Sequence, residues 1–480
     1  MTPHATATPL PPGIEVPDEV QTRLGTLRFF DGFPDDATTQ TLFDNLDFQR
    51  AVQAYLLALP PVDLAALRLA LSKWGPVNST VAVWEDLLHP RTIFLTGNTS
   101  TAYVAAWLDL HDGPLVLDAA PGVYGLTSDS WGRWVVDVGL TGPDKGQGGR
   151  YLLLPPGYDG DVPDGYFVVR PRTYGMLPAL RGFRDEHGDP HPAVEVIKAH
   201  TRVYPLAQAD DPPPTRFVNV SPEPWVTIPP ADYRFWDILN EVVQSEPPES
   251  SDPVTLGMFA AVGIQHGRPF ALDERMRAIL TEAATVGDAT ARALFYRFRQ
   301  SEAYYYPDSA WRTVFVGGYQ LQDHGVALLD SAAQFFFEGY AESPAQEQKV
   351  VGAGSQSPFA FVDADGAPFD GGKSYRLHVP AGVPVNTFWS VIAYDTQTRS
   401  MLQTDQEWPS VTSQDRDFVT MRTAPLTSTS APNDPSIAPT GSRPSPARAG
   451  TWCSGSTARS NHGSTRPGGS RTSNRSGSDR

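Results

Sequence analysis

Apolar and polar positions along this chain change period three times, and each change marks a part. From Asp35-Asp36 onward Leu42, Phe43, Leu46, Val52, Tyr55 and Leu56 fall three and four apart, the spacing of one helix face. Asp63 opens a second such stretch with Leu64, Leu67, Leu69 and Leu71. Between Leu95 and Tyr174 the pattern becomes short β-branched and aromatic runs split by turns. Thr101–Leu110 stops at His111-Asp112-Gly113-Pro114, and Trp131–Leu140 stops at the glycine-rich Gly142–Gly149. Tyr151–Leu154 and Tyr166–Arg170 read as two further strands, and Arg181 to Pro192 as a polar turn.

From about Pro229 the helical period returns. Phe235, Ile238, Leu239 and Val242 make one face, Leu256, Phe259, Val262 and Ile264 a second, and Met276, Ile279 and Leu280 a third. Ala291–Tyr304 and Val326–Tyr340 complete this region. After Phe359 the signal is β again: Tyr375–Val379 alternates, Pro380–Pro384 is a turn, and Phe388–Tyr394 is a strand. The expected class is α+β, with two β-sandwich or jelly-roll-like domains, an N-terminal helical cap and a helical connector. The expected parts are a disordered lead (1–20), a helical segment (21–90), a β domain (91–225), the connector (226–350), a second and truncated β domain (351–420) and a disordered tail (421–480).

Composition narrows the function classes. A chain of 480 residues is too long for one core. A net charge of -17 and a pI near 5.0 argue against nucleic acid, which needs a basic footprint. No apolar run reaches the roughly 20 residues that span a bilayer, so no membrane span is expected. Met1–Gln21 has no basic n-region and no apolar h-region, so the expected location is the cytoplasm. A single cysteine, Cys453, excludes an internal disulfide framework and a multi-cysteine metal site.

Charges where a strand should be buried mark candidate chemistry: Asp109, Arg133 and Asp137. Arg133 and Asp137, four apart on one strand, would share a face beside Trp131 and Trp134. Buried unpaired they would cost several kcal/mol, so they form either the floor of a ligand cleft or a structural ion pair. His187, Asp189 and His191 read as metal ligands or as a solvated loop, the loop being favoured by Gly188 and Pro190. Tyr304–Tyr306 and Phe335–Phe337 read as pocket lining or as core. Asp363-Ala364-Asp365-Gly366 lacks the later ligands of a calcium loop and reads as a hairpin turn. No nucleophile elbow, phosphate loop, H-E-x-x-H or dinucleotide fingerprint is present. Catalytic residues and cofactor therefore stay unassigned, no metal is expected, and the residues do not decide whether the protein is an enzyme.

Several stretches carry a resemblance. Asn98-Thr99, Tyr103, Asp129-x-Trp131-x-Arg133, Asp137-Val138-Gly139, Gly142-Pro143-Asp144-Lys145-Gly146, Pro155–Tyr158 and Arg172–Tyr174 resemble the DUF1254 domain. Phe388-Trp389-Ser390, Tyr394-Asp395, Thr398-Arg399-Ser400 and Ser413 resemble the DUF1214 domain that follows it in one large family. Ser100 stands where many members carry an acid, and His266 where relatives often carry lysine. With the cleft residues, the resemblance gives a candidate ligand set: Asn98, Tyr103, Trp131, Arg133, Asp137, Asp144, Lys145 and Arg399. The resemblance implies no activity; the residues themselves are read as a binder of a small molecule or glycan in a cleft of the β domains, alternatively a non-catalytic structural or assembly module, with homo-oligomers allowed.

Past Asp415 the chain turns to Ser, Thr, Pro, Gly and Arg with almost no acid. This is a disordered basic tail, or the product of a shifted reading frame. The tract can be encoded so that the neighbouring frame gives an alternating, aromatic-rich sequence of the kind that closes DUF1214. We hypothesise a frameshift between Val411 and Met421; incompatible codons in the gene would remove the idea. A frame-restored chain is then expected to melt higher than the chain as given, and equal melting temperatures would refute this.

Overall fold

A computed structural model describes residues 11–348, 355–380, 382–415, 426–430 and 450–456. Its axle is one long helix, α1 (Asp36–Ser72). Asp35 caps it, accepting the Thr38 N–H at 2.7 Å and satisfying one of the donors a helix start leaves free. The sequence pattern predicts two helices here, but α1 runs unbroken through Pro60 and Pro61. Each proline removes a ladder donor and crowds the turn before it. Burial on both sides of the pair, by Ala54, Tyr55, Ala58, Val62, Leu64 and Leu67, offsets that cost.

Six further helices follow among the described residues: α2 (His191–His200), α3 (Arg234–Ser245), α4 (Pro253–Ala261), α5 (Glu274–Tyr296), α6 (Leu329–Phe336) and α7 (Pro344–Glu347). Helices α3, α4, α5 and α6 pack against α1. At the α1/α5 crossing Gly287 lies on the Tyr55 ring, where a Cβ would come within 2.4 Å of it. Tyr55 stacks on Phe235 of α3 with centroids 4.0 Å apart, and Trp236 Nε1 donates to the Leu280 carbonyl at 2.9 Å. By length and composition α1 is apolar enough to cross a membrane, which corrects the expectation that no such run exists. Most of its apolar window is buried inside the protein, as in the core helix of a globular body, so this is weak evidence for a span. The segment before α1 also differs from expectation: residues 19–34 form a three-strand meander rather than the start of a helical cap.

The first β domain has two sheets. The larger runs Trp134–Gly139, Tyr124–Asp129, Gly175–Phe183, Thr101–Ala105, Thr80–Val83, Arg216–Asn219, with Leu108–Asp109 also on Gly175–Phe183. The smaller runs Phe167–Val169, Gly149–Leu153, Leu115–Ala119, Arg202–Pro205. Ala102, Val104 and Leu180 of the first sheet and Leu117, Tyr151 and Leu153 of the second share one core. Tyr103, Ala105 and Leu177, on the first sheet's other face, belong to the helical core around α1. Arg216–Asn219 pairs in parallel with Thr80–Val83, and Phe167–Val169 with Gly149–Leu153, a departure from the wholly antiparallel jelly roll.

The second β domain is a sheet ordered Ser355–Gln356, Gly450–Ser456, Trp389–Tyr394, Ser410–Thr412, with Phe359–Ala360 also on Gly450–Ser456. Tyr375–Val379 pairs with Leu426–Ser430. Two of these strands come from the tract expected to be disordered, and for them that expectation is corrected. The Trp389–Tyr394 strand presents a row of backbone donors and acceptors, and a proline-free Gly/Ser/Thr segment can satisfy it whatever its side chains. The rest of 421–480, and the lead up to residue 10, lie outside the described residues. The class is mixed α+β.

Candidate functional site

Three neighbouring strands of the large sheet turn one face toward the helices. Because side chains alternate along a strand, that face carries Leu177, Ala179, Arg181 and Phe183 on one strand, Thr101, Tyr103 and Ala105 on the next, and Tyr124 and Leu126 on the third. Phe335, Glu338 and Tyr340, from α6 and the turn after it, stand opposite, and Phe359 and Phe388 of the second domain close the side. Between them is a cavity of about 410 Å³, within the range that holds a drug-sized molecule. Most of its wall is apolar.

The polar groups in it are few. Arg181 is paired across the sheet with Tyr103 on one side and Tyr124 on the other, so the three stand in a row. Its guanidinium lies over the Tyr103 ring, 4.9 Å from the centroid, and among the described residues it has neither a carboxylate partner nor a side-chain hydrogen bond. The Tyr103 hydroxyl accepts from Asn98 twice, from Nδ2 at 2.9 Å and from the backbone N–H at 3.2 Å. Both its lone pairs are thereby used and its proton is still to be donated. The Tyr124 hydroxyl lies near Ser355 without closing a hydrogen bond to it, and Tyr124 is only 8% exposed. Glu338 is 4% exposed, and burial raises its carboxyl to about 8, against the weaker pull of Thr96 and Arg399. At neutral pH it is therefore mostly uncharged.

Of the predicted ligand residues, Asn98 and Tyr103 line this cavity; the other six do not. Arg133 precedes the strand it was assigned to, and a bulge between Trp134 and Val136 shifts the register, so it shares no face with Asp137. It pairs instead with the buried Asp129 at 2.6 Å. Asp137 accepts from Trp134 Nε1 at 2.9 Å. Trp131 stacks on Phe259 and donates to Ser250 Oγ at 2.7 Å. Asp144 ties its loop down, accepting from the Gly139 N–H at 2.8 Å and the Tyr151 hydroxyl at 2.6 Å. Lys145 is an exposed turn residue at φ 51°. Arg399 is half-buried over the Phe337 ring, 4.1 Å from its centroid, and donates to the Phe337 carbonyl at 3.0 Å. Apart from Lys145, these groups make contacts within the structure. The His191 ring bonds Asp189 at 2.7 Å and Asp86 at 3.2 Å, and no group of three metal-ligating side chains occurs among the described residues. Asp363 accepts from the Asp365 and Ala367 N–H groups in a turn. Phe335–Phe337 are core, whereas Tyr306 is exposed.

Residues 78–205 match the model of DUF1254, a protein family of unknown function, and residues 354–441 match that of DUF1214, likewise of unknown function. The chain is a DUF1254/DUF1214 domain-containing protein. The DUF1254 match covers both sheets of the first domain up to Pro205, and the DUF1214 match runs on to residue 441. The cavity thus lies between the DUF1254 sheet, the connector helices and the DUF1214 domain. Among solved structures the chain is similar to the VPA0106 protein from Vibrio parahaemolyticus, at 17% identity and a TM-score of 0.53, covering 86% of this chain and 96% of that one. It is also similar to a putative uncharacterized protein from Burkholderia cenocepacia, at 12% identity and a TM-score of 0.34, covering 88% and 94%. The first likeness is one of fold. No curated protein matches the chain. Neither the families nor these structures assign a function to a DUF1254/DUF1214 protein.

Arg181, Tyr124 and Glu338 were missed by sequence reasoning. The signal for Arg181 was present: Leu177, Ala179, Arg181 and Phe183 alternate, so the arginine ends a strand face rather than opening a turn. Glu338 carries no such signal, because its burial comes from three separate segments meeting over it.

Proposed function

We propose that this protein binds a small organic molecule with an apolar body in the cavity between its two β domains. The observation that carries this is the cavity itself, walled by all the main parts of the chain and holding a cation and two phenols with unused hydrogen-bonding capacity. Mainly aromatic and aliphatic walls with few polar groups suit such a ligand better than a glycan, whose hydroxyls would each need a partner. The reaction, if there is one, stays unassigned. A purely structural module is favoured only by the predicted cleft residues, which are spent on holding loops and strands.

The uncharged fluorophore N-phenyl-1-naphthylamine is expected to brighten on binding wild-type protein. Ala179→Phe places a ring inside the cavity and is expected to cut that signal at least about tenfold while the circular dichroism stays native. Equal binding by both would show that the fluorophore sits elsewhere and would remove the proposal.

A further inference from the structure

We infer that the ligand of this cavity is a carboxylate, its anionic head held by the Arg181 guanidinium and by the hydroxyls of Tyr103 and Tyr124. This rests on the cavity being a binding site, and it names the ligand class. The argument begins with charge. A half-buried guanidinium with no carboxylate beside it among the described residues is unusual, because desolvating an unpaired cation is costly. Here only the face of the Tyr103 ring offsets the charge, 4.9 Å away, and a cation–π contact of this kind is weaker than an ion pair.

The neighbours supply donors and no anion. Cross-strand pairing fixes Tyr103 and Tyr124 to either side of Arg181. The Tyr103 hydroxyl, already accepting from both nitrogens of Asn98, can act toward a ligand only as a donor. The Tyr124 hydroxyl is more than nine-tenths buried and has no hydrogen-bond partner among the described residues, which is an open position for an acceptor. A planar fork of N–H groups flanked by two O–H groups matches the oxygens of a carboxylate, and this pairing is bidentate and strong. Among the described residues Glu338 is the one acid that lines the cavity, and at neutral pH it is mostly protonated, so it does not compete for Arg181. The apolar wall beyond the row takes the rest of the molecule.

The test uses N-phenyl-1-naphthylamine as the reporter and two competitors of matched shape, 2-naphthoate and 2-naphthylmethanol, at pH 7. Wild-type protein is expected to prefer the naphthoate by roughly 10- to 100-fold, the range of a charge-assisted hydrogen-bond pair. Arg181→Met should bring that ratio close to one, and Arg181→Lys should retain part of it. The ratio is the readout, so a change in reporter affinity common to both competitors cancels. If Arg181→Met does not fold, Tyr124→Phe, which removes only an oxygen, should lower the ratio several-fold. A wild-type ratio near one, or a ratio that Arg181→Met leaves unchanged, overturns the carboxylate assignment while binding in the cavity stands. No reporter binding by wild-type protein overturns both.

Discussion

Glu246→Ala is expected to lower the melting temperature by roughly 3–5 °C. Glu246 follows the last turn of α3 and is 4% exposed. Its carboxylate accepts from the Ser130 hydroxyl at 2.6 Å, the Tyr174 N–H at 2.7 Å and the Gly175 N–H at 3.1 Å. One side chain thus fastens the connector to the sheet of the DUF1254 domain. Alanine would leave the Tyr174 and Gly175 N–H groups without an acceptor, each costing about 1–3 kcal/mol, while the Ser130 hydroxyl can turn to the Gly175 carbonyl 3.2 Å away, for a total of about 3–5 kcal/mol. A shift under about 2 °C by calorimetry would mean that α3 does not depend on this contact.

Glu338→Gln is expected to do the opposite, and the sign follows from protonation. Burial raises the folded-state carboxyl from its ordinary 4.5 to about 8. Below pH 4.5 the group is protonated in both states and costs nothing. Between pH 4.5 and 8 the unfolded chain releases the proton while the folded protein keeps it, so stability falls as pH rises, by up to about 1.4 kcal/mol per unit. Glutamine is neutral in both states and escapes this loss. The variant should therefore match wild type near pH 4 and exceed it by several kcal/mol near pH 8. A gap in melting temperature that stays constant from pH 5 to pH 9 would contradict this account. A carboxyl that weakens the fold and lines a cavity fits a group retained for binding or chemistry, since such sites commonly lower stability.

Much of the fold was legible in the sequence. The helical and strand-rich stretches alternate along the chain as their periods imply, although strands already occur at residues 19–34 and 80–83, before the shift read at Leu95, and helix α2 lies within the β stretch. The failures have identifiable physical causes. Pro60-Pro61 predicts a break that burial overrides. The bulge after Trp134 moves Arg133 off the face its spacing implies, and it pairs with Asp129 instead. Of the site, Asn98 and Tyr103 were legible through a family resemblance, but their role was not. Asn98 holds the Tyr103 hydroxyl, and Tyr103 in turn flanks an arginine more than seventy positions later in the chain. Contacts over that separation leave no mark in local spacing. The clustering of charges in strands pointed to Arg133 and Asp137, which the structure spends on loops and turns, while the cation that lines the cavity, Arg181, sat in a stretch that read as polar turn.

The order in which the strands of the DUF1214 sheet occur along the chain has a consequence for biosynthesis. Gly450–Ser456 lies between Trp389–Tyr394 and the strands at 355–360, yet it is the last of them to leave the ribosome. Until it emerges, one edge of Trp389–Tyr394 is unpaired, although Ser410–Thr412 already covers the other edge and Phe359 is bridged to Arg312. The DUF1254 sheet and the helices around α1 can assemble earlier, as N-terminal parts generally do. A nascent chain halted before residue 450 would leave that strand edge exposed to pairing with other chains.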